Sequence, residues 1–309
     1  MHKGVVRIGT RGSALALAQA NEVKRALEKK NPRLKFELTV IKTFGDEFQG
    51  VEIFRRTNVG VFTKAIEKSL LAGKVDLAIH SLKDLPTDLV KGSILAAIPK
   101  RADSRDALLS RGGYTLQSLP KGARVGTGSP RRKRQLARLR PDLKLVDLRG
   151  NLNTRVKRVL EQRSLDAIVI ARAGLLRIKK FSSHARTIPV GDMLPAVGQG
   201  ALAIQCRKKD KKNLKVARSV HHRPTEKETA AERVFLKELR GGCRVPVGIS
   251  TRTAGGRFYM KAAVFSVNND GWVAGDIAVA AARALLSAKK LARTLLKNGA
   301  GSFLKEARA

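Results

Sequence analysis

Cys243 lies in the run Leu239-Arg240-Gly241-Gly242-Cys243-Arg244. The two glycines remove side-chain bulk where a ligand could approach the sulfur, and the flanking arginines favour its thiolate. That setting suits a covalent anchor, although an unpaired cysteine is commonly just a small buried hydrophobe. A second constellation is cationic. Gly126-Thr127-Gly128-Ser129-Pro130-Arg131-Arg132 reads as a strand-to-helix turn, with Ser129 as cap and Pro130 at the first helical position. Two arginines in a first helical turn oppose the helix dipole, a cost that an anion at that terminus would offset. A solvated basic helix start is the plain alternative. Leu148-Arg149-Gly150-Asn151 through Arg155 repeats the arrangement, and Arg11-Gly12-Ser13 gives it a third time. Ligands of α/β sheets bind at the carboxyl ends of strands, so arginines at three such turns point to a ligand bearing several carboxylates.

Asp84, beside Lys83, also closes a strand-like run. An exposed aspartate usually has no special role. Among cations it would stay ionised, and could then steady a cationic intermediate or relay protons from a pyrrole or amine N–H. His80 reads as a structural hydrogen-bonder at the end of a buried strand. The other histidines lack metal-ligand spacing, and the turn at 126–132 lacks the Gly-Lys-Ser/Thr of a nucleotide-binding loop.

These groups need elements to position them. Short apolar runs alternate with helical patterns through the first 220 residues, which predicts an α/β fold with largely parallel strands. Strands are expected at 5–9, 37–43, 75–79 and 94–98, with helices at 13–29 and 62–71. Polar residues 99–105 mark a crossing into a second unit with strands at 124–126, 145–147 and 167–170, and helices after Ser129, Asn151 and Ala173. Residues 194–200 form a second hinge, and a strand at 201–205 returns to the first unit. Beyond it come a helix at 225–239, strands at 247–252, 258–267 and 272–277, and a final helix, a small α+β domain with an antiparallel sheet. The expected domains are 1–99 plus 200–218, 100–199 and 219–309. No sequence repeat is visible.

The chain has 309 residues, 43% of them hydrophobic, enough for two or three cores. Cys206 and Cys243 are its only cysteines, which excludes a disulfide framework or a Cys-x-x-Cys metal pair. With no signal-like start or long apolar run, a cytoplasmic protein without membrane association is expected. The 63 Lys and Arg against 25 Asp and Glu give a net charge of +38. Such an excess suits nucleic acid, an anionic small molecule or a solvated basic surface. Aromatics are 4% of the chain, poor material for stacking bases, so specific nucleic-acid binding is not expected, whereas salt-sensitive nonspecific binding is. Seven basic residues among the last 32 read as a solvated helix face.

Taken in order, six runs resemble the porphobilinogen deaminase (hydroxymethylbilane synthase) family over essentially the whole chain. They are the segments 7–16, 80–86, 126–132, 148–151 and 194–200, together with Gly241-Gly242-Cys243. The resemblance implies two α/β domains built like periplasmic binding proteins around a cleft, and a smaller C-terminal α+β domain. It implies a transferase of tetrapyrrole biosynthesis that joins four porphobilinogens into linear hydroxymethylbilane, releasing ammonia at each step. Cys243 would hold a dipyrromethane cofactor as a thioether, and Asp84 would be catalytic, stabilising the electron-poor azafulvene. Lys83, Asp84, Ser129, Arg131, Arg132 and Arg155 would bind the cofactor. Arg11, Ser13, Arg149, Arg155 and, with a one-residue offset, Arg177 would bind the carboxylates of the substrate. No metal is implied, and a monomer is favoured.

The chain departs from the family pattern at Gly128, often Ser; at Pro130, often Leu; at Asn153, often Gly; and at Asn58-Val59-Gly60, where Gly-Lys-Gly is usual. The lysine's role would pass to Arg55 or Arg56, or be lost. The net charge is also unlike the family. A reading of another class is a two-lobed anion receptor or nucleic-acid binder without chemistry. Such a protein would need neither the carboxylate of Asp84 nor the thiol of Cys243.

Overall fold

A computed structural model describes residues 4–43, 63–178, 181–240 and 245–307. Following the chain, β1 (Val5–Thr10) leads into α1 (Ala14–Lys30), β2 (Lys35–Val40), α2 (Lys64–Leu71), β3 (Leu77–Ser81) and β4 (Ser93–Ala97). Next come β5 (Asp106–Ser110), β6 (Arg124–Gly126), α3 (Pro130–Leu139), β7 (Lys144–Val146), α4 (Leu152–Leu160), β8 (Ala167–Ala171), α5 (Arg172–Ile178) and β9 (Ala185–Thr187). The chain continues through β10 (Leu202–Arg207), α6 (Lys211–Arg218) and α7 (Arg223–Glu238). It ends with β11 (Val247–Ala254), β12 (Arg257–Phe265), β13 (Trp272–Ala280), α8 (Ala284–Leu295) and α9 (Gly301–Glu306).

These elements form two compact units, Met1–Ala102 with Ala201–Glu226, and Asp103–Gly200 with Lys227–Ala309. The first unit contains a five-stranded sheet of order β2-β1-β3-β10-β4. β1 is parallel to both β2 and β3, but β10 runs antiparallel to β3 and β4. The second unit repeats this plan as β7-β6-β8-β5-β9, with β6 parallel to its neighbours and β5 antiparallel to β8 and β9. The expected largely parallel sheets are therefore mixed, each receiving one strand of opposite direction. The shared order is a structural repeat without a sequence repeat. Connection rules and apolar patterning fix strand order, and many residue identities satisfy both.

Helix starts follow local chemistry. The Ser13 hydroxyl accepts from the Ala16 N–H at 3.4 Å, Ser129 from Arg132 at 3.5 Å and Asn151 from Thr154 at 3.0 Å. Each cap satisfies an otherwise orphaned amide just beyond the carboxyl end of a strand. α1 stops at Asn31, ahead of Pro32, which lacks the N–H to continue a helix. Val23 and Leu27 of α1 meet Ile8, Leu77, Ile79 and Ile204 in the core of the first unit.

In the second unit the β11-β12-β13 sheet is antiparallel throughout, and α8 packs on it through Ala288, Leu291, Ala292 and Leu295. Arg138 of α3 lies over the Trp272 ring at 3.9 Å, and the Arg134 guanidinium donates to the Val267 carbonyl. Glu232 of α7, fully buried, accepts from the Gly198 N–H at 2.7 Å and the Thr251 hydroxyl at 2.6 Å. Gln199 donates to the Ser104 carbonyl at 2.7 Å and to Asp106 at 2.9 Å, tying residues near both crossings together. No helix among the described residues is long and apolar enough to cross a membrane.

Candidate functional site

In the first unit, Arg11, Ser13, Gln19, His80, Ser81 and Asp84 line one small pocket of about 80 Å³. β1 and its turn supply Arg11 and Ser13, α1 supplies Gln19, and β3 with the 3₁₀ turn Leu82–Asp84 supplies the rest. Buried Leu82 and Leu85 anchor that turn against Ile98, Ala201 and Ala203, and the Leu82 N–H donates to the Ala201 carbonyl at 3.0 Å. With both leucines pinned inward, Lys83 is half-buried and Asp84 is exposed at the pocket. His80 is buried, as a structural hydrogen-bonder would be, with Nε2 3.0 Å from Gln205 Oε1. Gln19 was not marked out by the sequence reading. Its amide donates to the Ser81 hydroxyl at 2.9 Å, holding the end of β3 against α1. A glutamine on the buried stripe that continues through Ala20, Val23 and Leu27 was the available signal.

In the second unit, the starts of α3 and α4 lie side by side. A Cβ at Gly128 would come within 2.5 Å of the Leu148 carbonyl oxygen, and Arg149 Cδ is 3.7 Å from the same point. Arg149 is exposed there. Arg155 Nε donates to the Gly150 carbonyl at 2.8 Å, and Arg177 Nη2 donates to the Gly200 carbonyl at 3.2 Å. Those bonds orient two of the expected anion ligands.

Arg131 and Arg132 are buried, and the nearest anion is internal. Arg131 Nη1 donates to Asp106 Oδ2 at 2.7 Å, while Arg132 Nε and Nη2 donate to Oδ1 at 3.0 and 2.8 Å. Burial alone would raise the Asp106 carboxyl, but the charges and hydrogen bonds of both arginines outweigh it and hold it well below the usual range. Burial disfavours the Arg131 charge, yet a guanidinium with this partner stays protonated. Two cations against one carboxylate leave a buried excess of positive charge, and Arg131 Nε is buried without a partner. A second anion beside them would be stabilised. No element is expected between the crossing at 99–105 and the strand at 124–126, so Asp106 is not singled out in sequence, although an acid opening the apolar run Ala107-Leu108-Leu109 is a usable signal.

Cys243 lies outside the described residues, as do Arg55, Arg56 and Asn58-Val59-Gly60. The segment bearing Cys243 joins α7 to β11 in the second unit, entered through Arg240 at φ 48°, a left-handed conformation that is costly outside glycine. Cys206, by contrast, is wholly buried in β10, and burial followed by the charge of Asp210 pushes its thiol up to about 11. It has the properties of an inert core cysteine.

A larger cavity of about 470 Å³, lined by Arg111, Tyr114, Lys121 and Asp166 among others, lies at the amino ends of β6 and β8. Chemistry outweighs size in choosing the site, because the arginine-bearing turns and Asp84 follow the carboxyl ends of parallel strands.

Residues 6–215 match the family described as porphobilinogen deaminase, dipyromethane cofactor binding domain, and residues 227–297 match porphobilinogen deaminase, C-terminal domain. The porphobilinogen deaminase of Syntrophomonas wolfei subsp. wolfei is 42% identical over 303 residues, covering 98% of this chain and 99% of its own length. That of Desulforudis audaxviator is 42% identical over 309 residues, covering 100% and 99%. Among solved structures, an ancestral cationic amino acid solute binding protein is similar at 16% identity and a TM-score of 0.45, over 71% of this chain and 89% of its own. Two family models in sequence and full-length relatives at this identity establish that the chain belongs to the porphobilinogen deaminase family.

Proposed function

We propose that this chain joins four porphobilinogen molecules head to tail into linear hydroxymethylbilane, releasing ammonia at each addition, on a dipyrromethane held as a thioether by Cys243. The observation that carries the reading is Asp84, a carboxylate set by a pinned turn in one pocket with Arg11 and Ser13. An anion receptor has no use for a carboxylate there.

The residues fit a covalently held polycarboxylate. Ser129 and the buried, positively charged pair Arg131 and Arg132 lie at the start of one helix, with Arg149 alongside. Together with Lys83, Asp84 and Arg155 they would orient the group, which when bound supplies the free pyrrole carbon to which the first substrate is joined. Arg11, Ser13, Arg149, Arg155 and Arg177 would take the carboxylates of the substrate. In each addition the bond between the substrate's methylene carbon and its amine breaks, and the nitrogen leaves as ammonia. A carbon–carbon bond forms to the preceding ring, which gives up a proton. After the fourth addition water breaks the bond joining the first added unit to the retained primer, its hydroxyl becoming the product's hydroxymethyl group and its proton returning to the primer ring. Asp84 stabilises the positive charge that develops on the substrate pyrrole as the amine departs, and receives N–H hydrogen bonds while the proton moves.

The three-domain division, with α7 to α9 and the β11-β12-β13 sheet as the cofactor-anchoring domain, belongs to this reading. So do a cytoplasmic location, a monomeric state and salt-sensitive nonspecific binding to nucleic acid. The deciding experiment is an intact mass after expression with porphobilinogen available. The reading expects a mass heavier by two linked pyrroles, mapped to Cys243, and a loss of at least ~100-fold in ammonia release for Asp84→Asn. A bare thiol together with no ammonia release would refute it, and wild-type ammonia release by Asp84→Asn would remove Asp84 from its role.

A further inference from the structure

Beneath the Asp84 pocket runs a buried polar chain that the reaction as described does not use. Gln205 of β10 is fully buried, with its side-chain amide 3.1 Å from Glu67 Oε1 of α2 and 2.7 Å from Ser93 Oγ of β4. Ser93 fixes which end of the amide faces it: its hydroxyl already donates its proton to the Val90 carbonyl at 2.9 Å, so its oxygen must accept from Gln205. The Gln205 NH₂ therefore faces Glu67 and Ser93, and its carbonyl Oε1 faces His80 Nε2 at 3.0 Å. A carbonyl cannot donate, so the proton of that contact belongs to His80 Nε2.

We infer that His80 is fixed as the neutral tautomer protonated on Nε2, so that Nδ1 offers an uncharged acceptor at the Asp84 pocket and positions the N–H groups of the substrate. This rests on the proposed reaction. His80 lines the same pocket as Asp84 and Arg11. An imidazolium there would repel the substrate's ammonium and compete with it for Asp84, whereas a neutral ring adds a second acceptor without charge. Burial pushes the imidazole down to about 4, against the raising effect of Gln205, so the ring is neutral at physiological pH. The charged groups that face this assembly are Glu67 from α2, Asp84 from the 3₁₀ turn and Arg11 from the β1 turn.

The primary test is ¹⁵N NMR of the histidine-labelled holoenzyme, with His80 assigned by its loss in His80→Gln. The expected spectrum at neutral pH shows Nε2 protonated and Nδ1 carrying the lone pair; an Nδ1–H tautomer or an imidazolium overturns the inference. His80→Gln keeps a donor for Gln205 but loses the pocket acceptor, and is expected to raise KM for porphobilinogen about tenfold with little change in kcat or Tm. His80→Asn keeps an acceptor near the Nδ1 position and should recover most of KM at reduced stability. Equal KM for both variants and wild type also overturns the inference. Wild-type protein that releases no ammonia would refute the reaction itself, whereas the spectrum tests the tautomer without reference to turnover.

Discussion

Asp106→Asn keeps the shape of the buried acid and removes its charge. Asp106 is fully buried, and the Arg131 and Arg132 side chains are 5% and 7% exposed, so water cannot replace what is lost. The two carboxylate oxygens accept from Arg131 Nη1, from Arg132 Nε and Nη2, and from the Gln199 amide. An asparagine would set its own NH₂ against one of these donors and leave two guanidinium charges without a counter-charge. Breaking a buried pair from one side costs about 3–5 kcal/mol, against a total stability of about 5–15 kcal/mol for a typical domain. Urea unfolding followed by circular dichroism measures the loss.

The pH dependence provides a separate check. The folded Asp106 carboxyl titrates below the ordinary aspartate value of about 3.9, so its stabilisation is complete above that value and is lost as pH falls through it towards the folded value. The gap between wild type and Asp106→Asn should therefore be full at pH 7 and shrink on acidification below about pH 4. A loss under about 1 kcal/mol, or a gap unchanged down to pH 3, would refute the buried-charge argument.

Thiol labelling separates the two cysteines. Iodoacetamide at pH 8 should modify the cofactor-free native protein once, at Cys243, and the loaded protein not at all, because the Cys206 thiol is buried and pushed up to about 11; two labels on native protein would contradict this. Gly128→Ser should destabilise by about 1–3 kcal/mol, read as a lowered urea midpoint, since the new Cβ would fall 2.5 Å from the Leu148 carbonyl oxygen; an unchanged midpoint would show that the turn relaxes freely.

The parts of this fold that were legible in sequence are those whose causes are local. Ser13, Ser129 and Asn151 were marked as caps because a cap and its amide are three residues apart, and the structure shows all three bonds. Strand positions are legible to within about three residues, as where β2 spans Lys35–Val40 rather than 37–43. What escaped depends on distant partners. β5, a short apolar run, and β9, three residues centred on the exposed Arg186, become strands only by pairing, β5 with β8 and β9 with β5, and α6, a short basic helix, is not marked in sequence. The direction of β10 follows from the return crossing and not from its own residues. The same holds within the site. Arginines at strand ends were visible, but Asp106 is 25 residues from Arg131, and Gln205 is 125 from His80.

The structure also changes what the large positive charge means. Several acids each serve two cations: Asp76 accepts from Arg7 and Arg207, Asp106 from Arg131 and Arg132, and Glu238 pairs with Lys289 and Arg293. A carboxylate shared between two cations neutralises half of what it touches; at Asp76 a second acid is present, since Arg207 also pairs with Asp210 at 2.7 Å, whereas Arg131 with Arg132 and Lys289 with Arg293 retain positive charge that one further anion would complement. At Glu238 that remainder is partly exposed, where water and salt screen it. At Asp106 it is enclosed, and the orphaned Arg131 Nε lies in the first turn of α3, within the residues that match the family's dipyromethane cofactor binding domain. Global charge could be shed from the surface without loss of this feature, because the enclosed positive charge, which the proposed function assigns to a polycarboxylate, comes from where one internal acid falls short.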